Sequence, residues 1–375
     1  MLLGARPCAA YHGAAVGERA LCQIGAPLNE NHNDKKGAEM PRQEQLPVSL
    51  RVLDRATCRG LAPAIASAVV CWASTSLTAG DALPDPAQIK PVKLVDVPHY
   101  SEGVVFDHAG LGYCSEEKHI WQFTLDGQAK IWATTGAPNG HKILADGTHL
   151  VCDASQHAVL HLAADGKLLP PAAKQYNGKP LRGPNDLSLD TPNGGFYFTD
   201  PGDSGIDNPI GTLHYVDAKG EVHLCDEGLA YPNGVALSGD GRTLYMGESQ
   251  KNRILVFEVK SPGKLGPRKV LADLPKKDES LGQIDNQPDG MCLDAAGNLY
   301  VAHYGMHQVQ VLSPAGKLLA RFEGGTLTTS NVAFGGPKRD QLFVTGALGA
   351  EQGSTGAVFR LNLGVPGLAI LPAKK

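Results

Sequence analysis

The sequence lacks any apolar run long enough to cross a membrane as a helix. Its longest largely apolar stretch, Leu61 to Ala73, has thirteen residues, whereas a span needs about 20. It also lacks a basic block. Lys and Arg number 34 against 38 Asp and Glu, a net charge of −4, and the pI is about 6.3. The electrostatic footprint of a nucleic-acid binder is therefore missing. There is no Cys-x-x-Cys pair among the eight cysteines. Helix-favouring composition is missing too. Gly and Pro together number 71, about 19% of 375 residues, against roughly 12% in ordinary domains. Charged residues make 19% and hydrophobic ones 42%, which excludes a disordered or fibrous chain. Many short strands joined by Gly-rich turns remain.

Residues 1–80 differ from the rest, being rich in Ala and Arg and free of the repeat described below. Arg51, Arg55 and Arg59 precede the apolar run, and small residues follow through Ser74, Thr78, Gly80 and Ala82. That order is the pattern of a secretory signal peptide, with cleavage expected after Gly80 or Ala82. The expected location is periplasmic or secreted if 51–80 is such a peptide, and cytoplasmic otherwise. Met40 is a candidate for the true start, since a signal peptide should not follow some fifty extra residues. Cys114, Cys152, Cys225 and Cys292 of the body sit in strand-like apolar contexts and read as small buried hydrophobes. Export would permit a disulfide, but no pairing follows from spacing.

Residues 81–375 carry one pattern six times. A polar residue opens a short apolar strand, a Gly/Asp turn follows, and a second apolar strand closes the unit. The openings are Glu102, Asn139, Asn185, Asn233, Asp289 and Ser330 or Asn331, spaced 37, 46, 48, 56 and 41 residues apart. Propeller blades repeat about every 40–50 residues. Further strand pairs, such as 119–132 and 307–322, lie between the copies and bring each unit to four strands. The expected fold is all-β, a six-bladed propeller of four-stranded antiparallel blades. The last unit is one strand short, and Val92–Val97 is expected to complete it by pairing with 357–361, leaving no open edge.

Equivalent positions in a propeller form a ring at one end of the central channel. The ring holds two carboxylates, Glu102 and Asp289, and several amide oxygens, with no Lys or Arg among the opening residues. Like charges buried together call for a compensating cation. Hard oxygen donors favour Ca²⁺, then Mg²⁺ or Mn²⁺, over Zn²⁺. Asn and Asp before Gly are also ordinary turn residues. Four Pro-Asn or Pro-Asp openings in phase with the repeat, at 138, 184, 232 and 288, weigh against turns alone. The second strands should end on the same face, so Asp153, Asp200, Glu248 and His303 are expected at the rim.

Several motifs together resemble the SMP-30/gluconolactonase/LRE-like proteins over roughly residues 95–362. They are Ser101-Glu102-Gly103, Gly183-Pro184-Asn185-Asp186-Leu187 with Tyr197-Phe198-Thr199-Asp200-Pro201, Tyr231-Pro232-Asn233-Gly234, and Pro288-Asp289-Gly290. The resemblance implies a six-bladed propeller with a divalent cation in the channel. It implies Glu102, Asn233 and Asp289 as ligands, with Asn185 a direct or water-mediated contact. The implied chemistry is hydrolysis of a small sugar lactone. Asp289, or a water activated by the cation, would serve as base, and His303 is an alternative base. Asn139, Asp200 and His303 are expected to line the substrate. Two departures concern the substrate. Many gluconolactonase-like members carry Cys-Glu-His-Gly where this chain has Cys152-Asp153-Ala154-Ser155. Some relatives have Arg where this chain has Gly183. A non-catalytic metal-stabilised binding platform and a paraoxonase-like or strictosidine-synthase-like relative with other chemistry stand as alternatives.

Overall fold

The structure, a computed structural model, describes residues 83–277, 286–351 and 353–371. The leader, its cleavage site and the boundary at residue 80 lie outside the described residues. Among the described residues no helix is long and apolar enough to cross a membrane.

Apolar residues at alternate positions, broken by Gly/Asp turns, fold into antiparallel strands with one face inward. Six sheets of this kind follow one another among the described residues. Blade 1 runs outward through Ser101–Phe106, Gly112–Glu116, His119–Phe123 and Ala129–Thr134. The innermost strands of blades 2, 4 and 5 are Pro138–Ile143, Pro232–Leu237 and Gln287–Leu293. Those of blades 3 and 6 are Leu187–Asp190 and Val332–Gly335. Each innermost strand touches those of the two flanking blades, so the six surround a channel. Blade 4 carries an extra short strand, Lys264–Leu265, folded back on Arg253–Ser261. It occupies part of the longest interval between repeats.

The closure is as expected. Val92–Val97 pairs antiparallel with Gly356–Asn362, placing Val92 opposite Arg360 and Val97 opposite Gly356. Blade 6 is thereby built from both ends of the described chain. Between blades, side chains of neighbouring sheets interlock. Leu150 and Cys152 of blade 2 pack with Leu187 and Phe198 of blade 3, and Tyr197 and Leu213 pack with Met246 and Phe257. Fully burying each large apolar side chain contributes about 1.5–3 kcal/mol. Cys114, Cys152 and Cys292 are buried, Cys225 is half-buried, and all four are free thiols.

The opening residues do not sit in turns. In blades 1, 2, 4 and 5 they lie inside a bulge of the innermost strand. The register shifts between Glu102 and Val105, Pro138 and His141, Pro232 and Val235, and Pro288 and Met291. A bulge bends the strand and re-aims its side chains. The glycine after each opening residue is there for close approach. A Cβ on Gly234 would stand 2.1 Å from the Asp289 carbonyl oxygen. One on Gly103, which also has φ +38°, would stand 1.9 Å from the Asn139 carbonyl oxygen.

Gly234→Ala must therefore push two innermost strands apart, at a cost of about 3 kcal/mol. Gly241→Ala is the control, with φ +69° and nothing within 4 Å of its new Cβ. It should lose only about 1 kcal/mol from backbone strain. Equilibrium urea unfolding measures both, and equal losses would show that the strands yield freely at the ring.

Candidate functional site

Glu102, Asn185, Asn233 and Asp289 come together at one end of the channel, and none is more than 8% exposed. Their elements are locked to each other by backbone and hydroxyl bonds. Gly140 N–H donates to the Asn185 carbonyl at 2.8 Å, and Gly290 N–H to the Ser330 carbonyl at 2.7 Å. Thr199 Oγ1 donates to the Asn233 carbonyl at 2.8 Å, and Ser115 Oγ to that of Asn139 at 2.7 Å. Asn139 itself is half-buried at the blade 2 position. Ser330 turns its hydroxyl to the Ser101 carbonyl at 2.6 Å, so blade 6 closes the ring without a charged group.

Several ring oxygens are buried with no hydrogen bond to the protein: Glu102 Oε2, Asn185 Oδ1, Asn233 Oδ1 and Asp186 Oδ2. A buried polar atom left unmade costs about 1–3 kcal/mol. Burial pushes the Glu102 carboxyl up to about 7, against the opposing pull of the Tyr100 hydroxyl. Asp289 is pushed well above the usual carboxylate range, first by burial and then by the charges of Glu102 and Asp186. The Asn233 and Tyr100 side chains favour its charged form but do not offset this.

Other residues at this end serve the loops. Asp200 accepts from the N–H groups of Arg182 and Gly183 at 2.7–3.0 Å and fixes the approach to Asn185. Asp153 does the same for Gly136 and Ala137 ahead of Asn139. Glu248 accepts from Ala230 N–H ahead of Asn233 and pairs with Lys251 and Arg253. The rim expected from strand direction is thus at the right end of the blades, but these carboxylates turn back into their own loops. His303 is fully buried. Its Nε2 lies 2.9 Å from Asn252 Oδ1 and its Nδ1 3.2 Å from Gln310 Nε2. Burial holds its pKa down at about 3. Both ring nitrogens are thus engaged by Asn252 and Gln310, although His303 pairs across the sheet with Pro288, the residue before Asp289.

Three further residues take on a place at the ring in the folded chain. Asp186, one residue past the ring position, is buried beneath it. The ammonium of Lys142, three residues past the blade 2 position and 12% exposed, lies 3.8 Å from Asp186 Oδ1. Tyr100, in the loop before blade 1, donates to Glu102 Oε1 at 2.7 Å. Its only sequence signal is its place two residues before Glu102. Past the ring the channel opens into a cavity of about 740 Å³, bordered by Val104, Lys142, Met291 and Phe334. Residues 364–371 close that end, with Leu368 N–H donating to the Leu293 carbonyl at 2.9 Å.

A family model described as the SMP-30/Gluconolactonase/LRE-like region matches residues 101–348, more than half of the chain. A gluconolactonase of Zymomonas mobilis is 31% identical over 220 residues, covering 55% of this chain and 60% of that protein. A pentonolactonase of Haloferax volcanii is 29% identical over 195 residues, covering 49% and 63%. The matches thus take in less than two thirds of either relative. A solved gluconolactonase from Xanthomonas campestris superposes with a TM-score of 0.62 at 25% identity, covering 74% of this chain and 91% of that one.

If His303 is a structural imidazole, its ring signals should not titrate between about pH 5 and 8. Nuclear magnetic resonance of labelled histidine measures this. A midpoint near 6.5 would return His303 to the candidate bases.

Proposed function

This chain belongs to the SMP-30/gluconolactonase/LRE-like family, and we propose that it is a divalent-cation-dependent hydrolase that opens the ester ring of a sugar lactone. The observation that carries the reading is the set of buried, unpartnered oxygens on Glu102, Asn185 and Asn233, beside Asp289. They fit a cation. All are hard oxygen donors, two of the residues are carboxylates, and no thiol or imidazole accompanies them at the ring positions, which favours calcium over zinc. Glu102, Asn233 and Asp289 would hold it, with Asn185 as a further oxygen. When bound, a divalent cation supplies Lewis acidity for a carbonyl oxygen and for the charge that develops on it.

Asp289 is the proton carrier in this scheme. The water oxygen forms a bond to the lactone carbonyl carbon while Asp289 takes a water proton at its carboxylate. The ring C–O bond then breaks, and that proton passes to the departing ring oxygen, giving the open hydroxy acid. Glu102 supplies charge but no proton transfer. The lactonase names of the relatives support the substrate class.

Two variants separate the roles. Glu102→Gln should bind calcium more weakly but recover lactone hydrolysis when calcium is saturating. Asp289→Asn should stay about 10²–10⁴-fold slower even then, because the base is gone. Equal full recovery of both would leave Asp289 as a ligand only. No hydrolysis of any lactone by cation-loaded wild type would favour the binding platform.

Acidity provides an independent check. Glu102 is pushed up to about 7 and Asp289 is raised as well, so below neutrality the cation-free ring holds protons. Those protons must leave before the cation binds. Calcium affinity should therefore fall as pH drops below about 7, and proton release should accompany binding. Calorimetry in two buffers measures both. An affinity flat from about pH 5.5 to 7.5 would contradict protonated ring carboxylates.

A further inference from the structure

We propose that Tyr100 is a positioning residue of the ring, and this rests on the cation reading of Glu102 and Asp289. Its hydroxyl donates to Glu102 Oε1 at 2.7 Å and lies 3.4 Å from Asp289 Oδ2. Glu102 belongs to blade 1 and Asp289 to blade 5. Blade 6, between them, presents Ser330, whose hydroxyl is turned away to the Ser101 carbonyl.

The division of oxygens gives the contact its consequence. Tyr100 engages Oε1, while Oε2 remains buried without a hydrogen bond, like Asn185 Oδ1 and Asn233 Oδ1. A carboxylate held by one oxygen presents the other in a fixed direction. The Asn331 amide also favours the charged form of Glu102, more weakly than Tyr100 does. The phenol is itself steadied. Its ring meets that of Tyr304 edge-on, with centroids 6.2 Å apart and planes at 68°. Tyr304 ends the blade 5 strand Leu299–Tyr304, the neighbour of the Asp289 strand. His99, the preceding residue, is held by Glu116 Oε1 at 2.6 Å. Tyr100 thus ties together two carboxylates that would otherwise repel.

Partners that hydrogen-bond a ligating carboxylate typically contribute about 10–100-fold to metal affinity. Tyr100→Phe keeps the ring and its packing and removes only the hydroxyl. In the full chain, titrated calorimetrically with calcium alone, this variant should bind about 10–100-fold more weakly than wild type. The cation-free variant should stay folded, its unfolding midpoint lowered only by the loss of one partly buried hydrogen bond. At saturating calcium its kcat on a lactone should return to near the wild-type value, because the residue acts through the site and not on the substrate. A Tyr100→Phe affinity equal to or tighter than wild type overturns the proposal alone. Wild type that binds neither calcium, magnesium, manganese nor zinc overturns the cation reading together with it.

Discussion

The innermost strands approach one another at the mouth of the channel more closely than two Cβ-bearing chains can, and the rest of the site depends on that approach. At the positions after the opening residues, blades 1, 2, 4 and 5 carry Gly103, Gly140, Gly234 and Gly290. Blades 3 and 6 carry Asp186 and Asn331 instead. Those larger side chains fit because they face glycines. A Cβ on Gly140 would meet Asp186 Oδ1 at 2.3 Å, and one on Gly290 would meet the Asn331 amide carbon at 2.3 Å. Bulges in four blades turn the preceding residues toward the axis. Packing the backbones this tightly places oxygens from separate blades together without water between the strands. The same packing that makes the ring leaves its polar atoms short of partners.

The acidic residues at this end divide into two groups by what surrounds them. Glu248 and Glu102 are both almost fully buried. Burial alone would raise both. The Ala230 N–H, Lys251 and Arg253 overcome it for Glu248 and hold that carboxyl below its ordinary value. Glu102 has the Tyr100 hydroxyl, the Gly103 backbone and a weaker share of Asn331, and it stays raised. Asp153, Asp200 and Glu248 take hydrogen bonds from backbone N–H groups of their own loops, although burial still raises Asp200. Of the ring carboxylates, Glu102 keeps Oε2 without a hydrogen bond to the protein. A group intended for a ligand should have this second character, and the two classes are separated by partners rather than by depth.

The repeat was legible because its period carries through six copies, and the phase of that period gave the ring positions. Val92–Val97 was legible as the closing strand because the last copy is one strand short. The approach glycines read as turn formers, since Asn-Gly and Asp-Gly are frequent in turns; only the distance to the next blade shows their purpose. The end of each second strand was placed correctly, but the direction of Asp153, Asp200 and Glu248 was not. Antiparallel pairing fixes where a residue sits, not whether its side chain turns into the channel or back to its own loop. The partners of His303 were hidden for the same reason, since Asn252 and Gln310 lie 51 residues before it and 7 after it. Tyr100 and Lys142 are out of phase with the repeat. One reads as a linker aromatic and the other as a solvated base, and only the fold brings them to the ring.

Lys142 also bears on which ion suits the site. Among the described residues, the carboxylates of Glu102, Asp289 and Asp186 act on one another across the mouth. The ammonium of Lys142 is the positive group set against them, 3.8 Å from Asp186. Three ionised carboxylates against one ammonium would leave two negative charges among largely buried groups. Each unpaired buried charge costs several kcal/mol, so the cation-free ring relieves itself by keeping protons, as the raised Glu102 and Asp289 indicate. A monovalent ion would compensate only half of that excess. Two divalent ions would reverse its sign and crowd Lys142. One divalent ion, as proposed, would balance it, and the unpartnered oxygens of Glu102, Asn185 and Asn233 would be open to it. Under the proposed reading, the oxygen donors would suit a hard cation, and the buried lysine would suit a single one of charge two.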